Sequence, residues 1–367
     1  MLTALGHMQL LRFVGPAAVI LGVAPQYLMA WLTWRLASLP LPRRIFERGD
    51  EMFYDMYQSL ICFFFETCTG AEVTFYGDQI PWDKQENVIV LCNHQSSVDW
   101  IVSDFLAIRQ GSLGRMRYIL KSGLKYLPLY GFYFAQHSCI YVKRSGAEDL
   151  QHVERKLTEM KDRQMPMWLV IFPEGTRYNV TNTAALEKSR AFAAEQGLPV
   201  LSHVLTPRTK ATEASFEILS LDYLDAVYDL TIAYSIANEN PVPRKPAPSM
   251  SDFLISQGQQ VHVYCRRHAA RDIPRDIEER KRWIHETFVE KDRILNRFYN
   301  EGGKMPGVPR KRRLPWSRTF PYFVFWMAAL LPFLMTKWGR SAYWKMWLVS
   351  SFGTVSYMML LFGKVQR

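Results

Sequence analysis

The chain is poor in the residues that staple small folds. Its five cysteines (Cys62, Cys68, Cys92, Cys139 and Cys265) nowhere fall in CxxC spacing, so neither a zinc ribbon nor a disulfide framework is indicated. No HExxH pair completes a zinc site, no GxSxG elbow marks a soluble hydrolase, and no internal repeat is visible. Acidic residues are also in deficit. Against 45 Lys and Arg stand 34 Asp and Glu, a net charge of +11, which favours an anionic lipid, a nucleic acid or a phosphorylated substrate as partner. Apolar residues, by contrast, are plentiful: 49% of 367 residues are hydrophobic and 14% aromatic, yet the mean hydropathy is only -0.12. Apolarity must therefore be concentrated locally and diluted by a charged middle, the pattern of a membrane-anchored enzyme rather than a many-span transporter.

Residues 13–34 carry no formal charge and are long enough to cross a ~30 Å hydrocarbon layer. They read as a retained anchor rather than a signal peptide, with Pro16 and Pro25 as kink sites. MFYDMYQSLICFFF, from Met52, is interrupted by Asp55 and Gln58 and reads as an interfacial or half-buried helix. The middle alternates β-rich runs with helical patterns, which predicts an α/β domain with a mostly parallel sheet flanked by helices. Strands are expected at 87–92, 139–142, 167–172, 200–205, 228–234 and 260–265. Helices are expected after Ser145, with Leu150, Val153, Leu157 and Met160 on one face, and from Ile277 to Tyr299. The proline-rich stretch 238–249 reads as an exposed loop. The tract Lys304 to Arg318 has six basic residues and no acidic ones and leads into two apolar runs, 320–336 and 346–362. Its place just before an apolar span favours an anionic cytosolic leaflet over nucleic acid. The resulting division is an anchor and interfacial helix over 1–70, a catalytic domain over 71–303, and a basic tract with a terminal membrane hairpin over 304–367.

The chemistry concentrates in two segments. Asn93-His94-Gln95-Ser96-Ser97-Val98-Asp99 directly follows the run ending at Cys92. On a regular helix His94 and Asp99 would lie ~140° apart, so a turn must bring them together. Ser96 or Ser97 capping a helix from about Val98 would leave His94 on the loop and Asp99 in the first turn, where a carboxylate can hold the imidazole N–H and free the other nitrogen as a base. The plainer alternative is a satisfied loop histidine beside a first-turn acid. Phe172-Pro173-Glu174-Gly175-Thr176-Arg177 follows another apolar run. Gly175 allows close backbone approach, Arg177 offers a fork for a phosphate, and Glu174 can orient that arginine; the alternative is a surface turn with an ion pair. Cys92 reads as a small buried strand residue rather than a nucleophile.

These residues resemble signature blocks of the glycerophospholipid acyltransferases, the lysophosphatidic acid acyltransferase family. His94 to Asp99 reads as NHxxxxD and Phe172 to Arg177 as FPEGTR. With IYVKR at 140–144, LKYLPLYGFYFAQH at 124–137 and VLTPR at 204–208, the chain is most similar to an epsilon-like branch of the 1-acylglycerol-3-phosphate acyltransferases. The second block departs from Gly-x-x-Phe-x-x-Arg, with Ser138 for the glycine and Tyr141 for the phenylalanine, while Arg144 is kept. Where a V-P-V proline is expected near Ser202, the chain offers Pro199 and Pro207 instead.

The resemblance implies transfer of a fatty acyl group from acyl-CoA to the sn-2 hydroxyl of 1-acyl-glycerol-3-phosphate, with His94 and Asp99 catalytic. Asn93, Arg144, Glu174, Gly175, Thr176 and Arg177 would contact substrate. A backbone N–H near Gly175 or Asn93 would meet the oxyanion, and Lys121, Lys125 or Lys143 would help hold the phosphates of CoA. No metal or cofactor is expected, acyl-CoA being a substrate; membrane lipid is an expected partner and nucleic acid is not. Alternatives within the class are lysocardiolipin or lysophosphatidylinositol as acceptor, and outside it a catalytically silent lipid-binding protein. The endoplasmic reticulum membrane, crossed more than once, is the implied location, with the mitochondrial outer membrane next.

Overall fold

The structure is a computed structural model that describes residues 2–143, 147–239 and 241–363. Among these residues eight strands form one sheet: β1 (Glu72–Gly77), β2 (Val88–Cys92), β3 (Met116–Lys121), β4 (Ile140–Val142), β5 (Trp168–Ile171), β6 (Ala226–Ile236), β7 (Gln259–Ala269) and β8 (Arg310–Lys311). Their order is β4-β3-β5-β2-β6-β7-β1-β8. The first five of that order run parallel, β7 joins β6 antiparallel and pairs β1 in parallel, and β8 closes the edge antiparallel to β1. Every residue of β2 and β5 is buried, as a parallel centre covered on both faces requires.

Side-chain alternation sends Val88, Val90 and Cys92 to one face and Ile89 and Leu91 to the other. The first face carries α1 (Leu2–Ala37), α2 (Arg43–Cys62), which runs on into a π-helical turn over Phe63–Cys68, α3 (Asp99–Gln110) and α4 (Tyr130–Gln136). On the second lie α5 (Ala147–Asp162), α7 (Lys210–Tyr223) and α9 (Ile277–Asn300), with α6 (Thr183–Glu195) preceding α7 and α8 (Met250–Ile255) preceding β7. The apolar face expected for α5 is the one that packs, since Val153, Leu157 and Met160 are buried against the sheet.

Four expectations change. Residues 200–205 form no strand, because a single Asp292 oxygen accepts from the consecutive N–H groups of Ser202, His203 and Val204, and consecutive N–H groups of a strand point to opposite sides. Strands β1, β3 and β8, not anticipated, complete the sheet, and β8 lies beyond the expected domain boundary at 303. The basic tract, read as facing an anionic leaflet, has three of its side chains tied to the protein: Arg310 donates to Gly77 O, Lys311 pairs with Glu72 at 2.6 Å, and Arg318 donates to Ile108 O. The helix from Met52 begins earlier, at Arg43, and is built into the core, with Tyr54, Tyr57 and Leu60 almost wholly buried.

α1 is long and apolar enough to cross a membrane. α10 (Phe320–Met335) and α11 (Lys337–Gly363) meet the same test only as a pair, bent by 113° at Thr336. The stretch 337–345 between the two apolar runs is helical and forms the first part of α11. Tyr343 of α11 donates to Gly22 O of α1, and Trp326 of α10 packs against Tyr27 and Tyr57, so the three helices form one layer with α2.

Candidate active site

Leu91 and Ile171 are register partners in neighbouring parallel strands, so the loops following β2 and β5 leave the sheet side by side at their carboxyl ends. β2 leads to α3 on one face and β5 leads through α6 to α7 on the other, and a crevice opens where connections diverge in this way. Both signature segments occupy it.

The turn expected between His94 and Asp99 forms. His94 Nδ1 lies 2.9 Å from Asp99 Oδ2, which also accepts from the backbone N–H of Gln95 at 2.7 Å and Ser96 at 2.8 Å. The other oxygen, Oδ1, accepts from the Tyr234 hydroxyl at 2.6 Å. Asp99 is 0% exposed, and a carboxylate tolerates such burial when donors surround it. An acceptor on Nδ1 assigns the proton to that nitrogen and leaves Nε2 as the base. The His94 side chain is 22% exposed, its ring 4.5 Å from that of Phe172. Ser96 does not cap α3; its hydroxyl accepts from Val98 N–H just ahead of the helix and donates to Pro248 O.

The second loop grips the first by its backbone. Glu174 Oε1 accepts from His94 N–H at 2.6 Å, its Oε2 accepts from Leu205 N–H at 2.8 Å, and Tyr178 N–H donates to His94 O at 2.7 Å. Burial pushes the Glu174 carboxyl up to about 8, with the two N–H donors pulling the other way. Glu174 therefore positions His94 and does not orient Arg177, as the sequence had suggested. Arg177 and Thr176 are exposed, and no side-chain hydrogen bond or ion pair engages Arg177 among the described residues. Gly175 sits at φ +69°, the left-handed region that glycine enters freely. Its N–H is committed to Phe172 O at 3.0 Å and so is not free for an oxyanion.

Asn93 is likewise occupied. Its amide donates to Ile232 O and accepts from Ile232 N–H, so it pins the loop to β6. Lys125 is buried against the ring of Phe362, while Lys121 is exposed. Lys143 donates its N–H to Asp149, and Arg144 lies outside the described residues. Cys92 is buried and its thiol is pushed up to about 12 by burial, which fits the strand residue expected.

Sequence reasoning missed Tyr234 and Arg244. The proline-rich stretch, expected to be an exposed loop, crosses the His94–Asp99 turn: Arg244 donates to Gln95 Oε1 at 2.5 Å and His203 O at 3.0 Å, and its guanidinium lies over the rings of Tyr178 and Tyr299. Next to it, Met250 N–H donates to Ser97 Oγ. The only sequence signal for this contact was a lone arginine among prolines.

The chain is similar in sequence to known proteins along most of its length. Residues 72–206 match the family model described as acyltransferase, and residues 252–327 that described as acyltransferase C-terminus. The chain is 45% identical to the mouse 1-acyl-sn-glycerol-3-phosphate acyltransferase epsilon over 93% of its own length and 94% of that protein. It is 34% identical to a probable 1-acyl-sn-glycerol-3-phosphate acyltransferase 5 of Arabidopsis thaliana, over 81% and 76%. The crystal structure of the 1-acyl-sn-glycerophosphate acyltransferase PlsC of Thermotoga maritima aligns with 81% of the chain and 98% of its own, at 16% identity and a TM-score of 0.46. By its sequence similarity to these relatives along nearly the whole chain, the protein belongs to the 1-acyl-sn-glycerol-3-phosphate acyltransferase family.

Proposed function

We propose that the protein transfers a fatty acyl group from acyl-CoA to the sn-2 hydroxyl of 1-acyl-glycerol-3-phosphate, giving phosphatidic acid and free CoA. The observation that carries this reading is the His94–Asp99 pair at the carboxyl end of β2, with Nε2 left as a base beside a crevice. Nε2 takes the proton of the acceptor hydroxyl as its oxygen attacks the thioester carbonyl, and Asp99 stabilises the imidazolium that forms. The tetrahedral intermediate then expels the CoA thiolate, which takes the proton back from His94. The high pKa of the buried Cys92 thiol supports direct transfer over an acyl-enzyme on that residue. Arg177, exposed at the crevice rim, is assigned to the acceptor phosphate.

Membrane attachment belongs to the same reading. Leu21 and Leu32 of α1, Val324 and Leu331 of α10, and Val349 and Phe352 of α11 are exposed apolar side chains in one helical layer, an arrangement suited to lipid. The family resemblance puts the endoplasmic reticulum membrane first as the compartment.

Purified protein is tested with one long-chain acyl-CoA against lysophosphatidate, lysocardiolipin and lysophosphatidylinositol. Preferential formation of phosphatidate is the expected result. Equal or better use of another acceptor refutes the assignment of substrate, and turnover of none refutes the reaction.

A further inference from the structure

Helix α9 lies in the region matched as acyltransferase C-terminus, over a hundred residues beyond the loops that carry His94 and Glu174, and holds none of the signature residues. Two adjacent residues at its middle nevertheless reach the backbone that carries His94. Lys291 is wholly buried, and its ammonium donates to Leu230 O at 2.7 Å, to Leu91 O at 3.2 Å and to Asp229 Oδ1. Asp229 in turn takes Arg266 on its other oxygen. Leu91, Asp229 and Leu230 belong to the last two register pairs of the β2–β6 ladder, Leu91↔Asp229 and Cys92↔Leu230. The ammonium thus fixes the strand end from which the catalytic turn departs, three residues before His94.

The neighbouring side chain acts on the other wall. Asp292 Oδ1 gathers the N–H groups of Ser202 at 2.8 Å, His203 at 2.5 Å and Val204 at 3.3 Å. The next residue, Leu205, donates to Glu174, whose other oxygen holds His94 N–H. One dipeptide therefore reaches the backbone of His94 by two separate routes, through β2 and through Glu174. A buried cation is costly to place, and an apolar side chain at Lys291 would cap the sheet more cheaply. Its acceptors, two backbone carbonyls at the end of the ladder and one carboxylate beside them, are what an apolar residue could not hold.

We propose that Lys291 and Asp292 are positioning residues for the transfer reaction, clamping the backbone on both sides of His94 so that its Nε2 meets the acceptor hydroxyl. This rests on the reading of His94 as the base. A catalytic group displaced by about 1 Å costs on the order of 10²-fold in rate. The full-length chain is compared with Lys291→Met, Asp292→Ala and Asp292→Asn for kcat per folded molecule, for KM of lysophosphatidate and of acyl-CoA, and for melting temperature. The expected result is a kcat lowered ~10 to 10²-fold in Lys291→Met and Asp292→Ala with both KM values nearly unchanged. Asp292→Asn, which keeps an oxygen for the three N–H groups, recovers most of the loss. If Lys291→Met does not fold, the two Asp292 variants decide. A wild type that acylates no lysophosphatidate overturns the functional reading and this inference with it. An active wild type whose Asp292→Ala variant keeps full kcat per folded molecule, whatever its melting temperature, overturns this inference alone.

Discussion

At the scale of single residues, the proposed mechanism divides the site into groups that meet substrate and groups that hold them. If His94 and Asp99 act as the proposed unit, His94→Ala and Asp99→Asn each lower turnover ~10² to 10⁴-fold, with the double variant little worse than the more damaged single one. Steady-state kinetics checks this, and near-normal turnover by His94→Ala would remove the base from the mechanism. Arg177 makes no bond to Glu174, so Arg177→Ala should leave the melting temperature unchanged. Loss of a charge-assisted bond worth ~1.5 to 3 kcal/mol should raise the lysophosphatidate KM by about one to two decades. A rise in the acyl-CoA KM instead would move Arg177 to the donor side. Glu174 supplies a pH signature. Its folded value is raised from the ordinary 4.5 to about 8, so its contribution to stability is complete below the ordinary value and is lost as pH rises through about 8. Melting temperatures taken between the ordinary value and about pH 8 should fall more steeply in the wild type than in Glu174→Gln, which cannot ionise; parallel curves in that window would refute the assignment.

At the scale of elements, the connection from α4 to β4 shows how a departure from the family pattern is accommodated. Ser138 stands where the second family block leads one to expect glycine, and its φ of 65° lies in the left-handed region. A residue with a Cβ pays roughly 1 kcal/mol there. Ser138→Gly should therefore stabilise the protein by up to about 1 kcal/mol, read as a higher melting temperature; a lower one would show that the serine makes compensating contacts. The second departure has its own compensation, because the hydroxyl that Tyr141 has and phenylalanine lacks donates to Gly131 O at 2.9 Å. The connection from β6 to β7 follows a similar logic: its prolines shape a segment that reaches the His94–Asp99 turn at three points, Gln95, Ser96 and Ser97.

At the scale of the whole molecule, the helical layer of α1, α2, α10 and α11 covers one face of the sheet, and the catalytic loops emerge from the sheet's end. Positive charge beside apolar segments stays cytosolic, so the basic tract 304–318, bound to the sheet edge through β8, is expected on the same side as the catalytic loops. Epitope tags at Gly303 and Trp338 in selectively permeabilised cells check this. A protected Gly303 with an exposed Trp338 would reverse the orientation.

What the sequence by itself determined is what depends on neighbours in the chain. An apolar run followed by Asn93 to Asp99 specifies a strand, a turn and a helix start, and five residues are enough to bring His94 to its carboxylate. The parallel α/β core and the amphipathic faces of α5 and α9 follow from local periodicity in the same way. Tertiary structure decided whatever joins distant segments. Tyr234 reaches Asp99 from 135 positions away because β6 lies beside β2, and the Asp292 carboxylate bends 202–204 out of the strand its valines and leucines favour. Strand β3 escaped detection because it buries Arg117, a residue that marks surface in a sequence and sits inside here only because His137 and the carbonyls of Gly114 and Met116 accept from it. Glu174 read as a partner for the arginine three positions on, yet its oxygens went to two backbone N–H groups that the sheet's register had placed beside it.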